Sequence, residues 1–159
     1  MLRLTPNRGK GGAVLAGLAA STGQLIVLLD ADLVGLTPAH VRALAGPTLA
    51  GRAGASVGLF TGARLSTTLA SWLTRHWSGQ RALHRADLEA LADRPGAGEL
   101  RYALELAITR QLRRRGARIQ LVRLPGLTHR TKEEKLGTGA GSRARLEMFR
   151  QLARYRWRR

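Results

Sequence analysis

Apolar residues fall along the chain in blocks that switch between the helical period and continuous or alternating runs. From Gly12 to Ala20 small and apolar residues fill a helical stretch, and Ser21-Thr22-Gly23 supplies the stop. Leu25-Ile26-Val27-Leu28-Leu29 then runs without a polar residue up to Asp30. That predicts a strand buried on both faces, as in a parallel sheet covered by helices. Thr37 as N-cap and Pro38 at the first helical position open a helix with Val41, Leu44 and Ala45 at helical spacing, which Gly46-Pro47 is expected to end. Ala55 to Phe60 reads as a second strand. Leu65 to Trp77 reads as a helix with Leu69, Trp72, Leu73 and His76 on one side. Ser78-Gly79-Gln80-Arg81 interrupts the pattern, a short stretch begins near Ala86, and Arg94-Pro95-Gly96-Ala97-Gly98 is a loop. Glu99 to Arg115 gives the strongest helical signal, with an apolar face from Leu100, Leu104, Ile108 and Leu112. Arg118 to Leu124 alternates as a strand and stops at Pro125-Gly126. After the polar loop Thr131 to Gly141, residues 142–159 form a basic amphipathic helix, regular from Arg143 to Trp157. Helices and strands in this order predict an α/β fold with one mixed sheet flanked by helices.

At 159 residues the chain forms one domain, 1–159, and 44% hydrophobic residues suffice for a packed core. Lys and Arg number 27 against 10 Asp and Glu, a formal charge of +17, which favours a polyanionic partner: nucleic acid, an anionic membrane surface or a phosphate-bearing substrate. The basic residues are nearly all Arg, with lysine at Lys10, Lys132 and Lys135, in a chain rich in Ala and Gly. Such a composition also follows from GC-rich coding, so charge alone names no partner. Aromatics are 4%, poor material for stacking bases, and nucleic acid is disfavoured. The chain has no cysteine, which removes disulfides, thiolate metal sites and a cysteine nucleophile. The uncharged stretch Gly11 to Leu29 resembles a signal peptide or a span only superficially. Its apolar part is mostly Ala and Gly, and Ser21 to Gln24 break it. A cytoplasmic protein is expected, with the C-terminal helix able to touch the inner face of a membrane.

Asp30-Ala31-Asp32 carries the most pointed chemistry. Ligands of open α/β sheets bind beyond the carboxyl ends of strands, and two carboxylates there suit a hard divalent cation together with substrate phosphates. An Asp at that position is also a common turn cap. Asn7-Arg8-Gly9-Lys10-Gly11-Gly12 is a glycine-rich basic loop ahead of a helix, with amides and an ammonium suited to an anion. It lacks the Gly-Lys-Ser/Thr ending of a nucleoside-triphosphate loop.

Taken in order, Asn7 to Ala13, Gly17 to Ala20 and Leu28-Leu29-Asp30-Ala31-Asp32 resemble the family 2 glycosyltransferases and their GT-A fold. Ser78-Gly79-Gln80-Arg81-Ala82-Leu83 is similar to that family's acceptor-side segment, and Ala103 to Thr109 to its glutamate-bearing helix start. Leu124 to His129, with Lys132 to Gly137, is similar to its histidine-bearing strand end and mobile loop. The resemblance implies transfer of a sugar from a UDP- or GDP-linked donor to an acceptor hydroxyl, with Mn²⁺ or Mg²⁺. It implies Asp32 and His129 as metal ligands, Asp30 towards the sugar and ribose, and Lys10 and Gly11 at the nucleotide. Ser78, Gly79, Gln80 and Arg81 would line the acceptor side, and Lys132 to Lys135 would close over the diphosphate. Glu105 would orient or deprotonate the acceptor, with Glu99 as the fallback carboxylate. Read from the residues alone, Glu105 could equally pair with Arg101, four positions earlier, on a solvated face. The acceptor is expected to be lipid- or phosphate-bearing. Members of the family normally begin with a strand, a helix and a second strand, and the resemblance starts at the loop after these, so a partial domain is expected. A basic nucleic-acid or anionic-membrane module and a sugar-nucleotidyltransferase are the alternatives.

Overall fold

The computed structural model describes residues 2–61, 78–100 and 103–129. The expected helix over 65–77, the loop carrying Lys132 and Lys135 and the C-terminal helix over 142–159 lie outside them. The first helix, α1, covers Gly9–Ala19 and leads into strand β1, Leu25–Leu28. A two-residue strand β2, Leu33–Val34, precedes helix α2, Pro38–Leu49, and strand β3, Ala55–Thr61. Strand β4, Arg81–His84, runs directly into helix α3, Arg85–Ala92. A 3₁₀ turn at Ala97–Glu99 precedes helix α4, Leu104–Arg114, and strands β5, Ile119–Pro125, and β6, Thr128–His129, follow.

The main sheet has the order β1-β4-β3-β5. Strands β3 and β5 are parallel, and β4 runs antiparallel to both of its neighbours, so the sheet is mixed, as expected. Its register places the carboxyl ends of β1, β3 and β5 at the same edge as the start of β4, with Arg81 opposite both Leu28 and Val57. The second sheet pairs Leu33 with His129 and Val34 with Thr128.

Alternation along the strands divides the interior. Ala55 and Leu83 point into an apolar cluster with Leu18, Leu88, Leu91, Leu104, Ile108 and Leu112, contributed by α1, α3 and α4. Ser56, on the opposite face of β3, donates to the carbonyl of Leu44 in α2. Helices therefore cover both faces of the sheet. Arg115 is paired with the buried Asp87, which clamps the end of α4 to the start of α3.

Several expectations need correction. Among the described residues strand β1 lies at the edge of the sheet, paired with β4 alone and antiparallel, and all four of its residues are half-buried rather than enclosed. Strand β4 stands where an interruption was expected and is a central strand of the sheet. Helix α2 passes through Pro47 to Leu49. The stop lies at Gly51, whose φ of +67° suits glycine, and the carbonyl of Pro47 accepts from the amides of Arg52 and Ala53. Helix α4 starts at Leu104 rather than Glu99, because Gly96, at φ +78°, first turns the chain into the 3₁₀ segment.

Candidate active site at the strand ends

Residues far apart in the sequence meet beyond the carboxyl end of β1. Lys10, in the first turn of α1, donates from Nζ to Oδ1 of Asp30 at 2.7 Å and also to Oε1 of Glu105 in the first turn of α4. Its side chain is 39% exposed, whereas that of Glu105 is 9% exposed. Burial works against the Lys10 charge, but Glu105 and Asp30 outweigh it and raise its pKa above the ordinary 10.5. The lysine thus joins one carboxylate from the end of β1 to another from the opposite wall.

Asp30 is held from a second side. Its Oδ2 accepts from Nε2 of Gln80 at 2.9 Å, and Gln80 Oε1 accepts in turn from the hydroxyl of Ser78 at 3.0 Å. A Cβ on Gly79 would collide with both carboxylate oxygens of Asp30. The absence of a side chain at Gly79 is thus what lets Asp30 keep this position, by close approach rather than by backbone conformation. Asp32 lines the same cleft as Lys10 and Asp30, a space of about 800 Å³ that runs along β1 between Val14, Leu18 and Ile26. Backbone pairing of Leu33 with His129 sets His129 beside the residue that follows Asp32.

The carboxylate chemistry of this strand end fits a hard divalent cation. Asp30 and Asp32 open onto one cleft, and such ions are held by one or two carboxylates plus the oxygens of a bound phosphate. Among the described residues no cluster of three or more His, Asp or Glu forms a cage by itself.

The other residues singled out from the sequence fall as follows. The amide of Gly11 donates to the carbonyl of Leu100 at 2.8 Å, and a Cβ there would lie 2.8 Å from the carbonyl oxygen of Ala97. Gly11 thus packs α1 against the 3₁₀ turn, and its N–H is committed to protein rather than turned towards an anion. Gly9 donates to the side chain of Asn7 at 2.8 Å. Glu105 is buried and held by Lys10, which excludes the solvated pairing open to it on sequence. Glu99 is exposed and borders a separate cleft with Asn7 and Arg8. Arg81 is 1% exposed and makes its contacts inside the protein. Sequence reasoning missed Thr109, a buried hydroxyl that donates to the Glu105 carbonyl at 2.8 Å. Its only signal was its place one helical turn after the glutamate.

The profile of glycosyl transferase family 2 matches residues 1–126. The chain belongs to that family. Among solved structures, glucosyl-3-phosphoglycerate synthase from Mycobacterium tuberculosis with phosphoglyceric acid is 28% identical, with a TM-score of 0.64 over 93% of this chain. The same enzyme with Mn²⁺ and UDP-glucose gives 26% and 0.62, and with Mg²⁺ and UDP 28% and 0.63. This chain spans 55% of the length of each of those chains. A search of curated proteins finds no match. The GT-A architecture is thereby established for this family 2 chain, with a mixed sheet and the Asp30–Asp32 segment at a strand end.

Proposed function

We propose that this family 2 domain transfers a sugar from a UDP-linked donor to the hydroxyl of a phosphate-bearing acceptor, with a divalent metal. The observation that carries the reading is the convergence of Lys10, Asp30 and Glu105 at a strand end, with Asp32 in the same cleft. Asp32 and His129 would hold Mn²⁺ or Mg²⁺, which when bound supplies positive charge to the diphosphate of the donor. Lys10 adds an ammonium at the same place, and Asp30, fixed by Gln80, is set to accept from donor hydroxyls. Glu105 lies on the opposite wall, where it can orient the attacking hydroxyl and take its proton. The net charge of +17 and the basic segment 142–159 support an anionic acceptor, met in the cytoplasm or at the inner face of a membrane. UDP is favoured over GDP because the similar mycobacterial enzyme is seen with UDP-glucose.

Calorimetric titration of UDP and GDP, with and without Mn²⁺, tests this reading. Binding should need the metal, prefer UDP, and weaken by at least ~10-fold in Asp32→Asn, equivalent to about 1.4 kcal/mol, while the fold persists. Metal-independent binding that ignores Asp32 and collapses with salt would overturn it in favour of a general polyanion-binding module.

A further inference from the structure

A positive charge buried to 1% exposure demands a reason. Removing an ion from water is costly, and well-packed apolar residues of similar volume often serve a core as well or better. Arg81 nevertheless occupies the first position of the central strand β4, on the face that carries Leu83 into the core. Its planar fork spans two elements. Nε donates to the carbonyl of Ser78 at 2.8 Å, and Nη1 donates to the hydroxyl of Thr109 at 2.8 Å. That hydroxyl in turn donates a hydrogen bond to the backbone carbonyl of Glu105, so each of these groups has a partner.

Followed outward, the bonds close on themselves. Ser78 binds Gln80, Gln80 binds Asp30, Asp30 binds Lys10, Lys10 binds Glu105, and Glu105 returns through Thr109 to Arg81. Lys10 is the arm of this ring that is open to the cleft. Arg81 is the enclosed arm, which ligand cannot reach. Burial pulls the Arg81 pKa down to about 10 against the attraction of Glu105, and the guanidinium remains charged at neutral pH.

We infer that Arg81 is a positioning residue, tying the segment that orients Asp30 to the helix that carries Glu105 and so holding the donor and acceptor walls in register. The inference rests on the transferase reading, and one part of its test stands without it. Thr109 is the joint in this link, and lysine at position 81 could not bridge both acceptors with a fork.

The full chain and its Arg81→Met, Arg81→Lys and Thr109→Val variants are compared in two measurements. The first is amide hydrogen exchange. Arg81→Met should speed exchange in residues 78–81 and 103–109 while leaving β3 and β5 as in the parent, and Thr109→Val should do the same more weakly. Uniform acceleration, or none, overturns the tie whether or not the protein is an enzyme. The second is UDP release from UDP-glucose in the presence of phosphoglyceric acid, with Mn²⁺. Arg81→Met should lower kcat by roughly 10- to 100-fold, as misplacement by about 1 Å does elsewhere. The KM for donor and the affinity for UDP–Mn²⁺ should stay within about 3-fold, and Arg81→Lys should recover part of kcat. Equal loss of UDP affinity and kcat, or full activity in Arg81→Met, overturns the positioning role. Absence of turnover in the parent chain overturns the transferase reading and with it the role in catalysis, and the exchange result then decides the structural tie alone. Should Arg81→Met fail to fold, Thr109→Val carries both measurements, because it removes one hydroxyl from the same link.

Discussion

Lys10 ties the end of β1 to the start of α4 through two ion pairs. It lies between two carboxylates, whose attraction outweighs burial and raises its pKa. Its folded pKa lies above 10.5, so its contribution to stability is fully present below the unfolded value and is lost as pH rises through the folded one. The gap in urea midpoint between parent and Lys10→Met should therefore hold steady from neutral pH to about 10 and shrink above it. A gap that widens in alkali would contradict the pairing. Gly79 offers a second check. Its absent side chain leaves room for Asp30, whose carboxylate oxygen Oδ1 would lie only 2.6 Å from an added Cβ. Because the obstacle is the end of a movable side chain, Gly79→Ala should keep the fold but displace Asp30 from Gln80. A loss of ~10-fold in UDP–Mn²⁺ affinity is expected, about 1.4 kcal/mol, with little change in thermal midpoint. The gathering of Lys10, Asp30 and Asp32 at one strand end was legible in local patterns, whereas Glu105 was singled out only by the family resemblance. The bonds of Gln80 to Asp30 and of Arg81 to Thr109 were not legible, since contacts 50 and 28 residues apart leave no local trace. The packing of Gly11 against the 3₁₀ turn left no local trace either, because a glycine needed beside a ligand and one needed for helix packing look alike in one sequence.

The same distinction governs whole elements. Helices α1 and α2 and strands β3 and β5 were readable because caps, glycines and apolar periods act within a few residues. Strand β4 was not, for Arg81-Ala82-Leu83-His84 holds a charge, a small residue and a histidine around one leucine. Its strand character comes from its neighbours: β1 and β3 pair with it on either side, and Leu83 is fully enclosed. The continuous apolar run of β1 misled in the opposite direction. Ile26 and Leu28 pack on the core cluster and the whole strand lines the cleft, and this satisfies a hydrophobic pattern without central placement. Mutational cost should follow observed burial rather than local hydrophobicity. Leu83→Ala should lower the free energy of unfolding by about 2–5 kcal/mol in urea titration. Leu25→Ala, half-buried at the edge, should cost less than about 2 kcal/mol. A reversed order would mean that β1, not β4, is central to the sheet.

At the scale of the whole molecule two forces oppose each other. Strand β5, at one edge of the sheet, carries Arg123 with Arg118 just before it, and such charges discourage pairing with another chain. Strand β1, at the other edge, presents four apolar residues, and no described strand pairs with its outer side. An uncharged, half-exposed edge invites association with a second copy. The net charge of +17 resists it, because every approach brings two strongly positive bodies together. Which wins depends on screening. Charges act over about 10 Å at 0.1 M salt but only about 3 Å at 1 M, whereas apolar burial does not weaken with salt. The chain should therefore be mainly monomeric at low ionic strength and self-associate as salt rises, measured by light scattering on a sizing column. Val27→Lys, which puts a charge into the β1 edge away from the Ile26 and Leu28 positions that pack on the core, should suppress that association with little loss of stability. Association that is strongest at low salt and falls as salt is added would show electrostatic attraction instead and remove the β1 edge as its cause. Uptake of anionic ligands has the opposite salt dependence, weakening as screening grows. A single salt series with and without UDP and Mn²⁺ thus separates the two effects, because self-association through the β1 edge grows with salt while uptake of the anionic ligand falls.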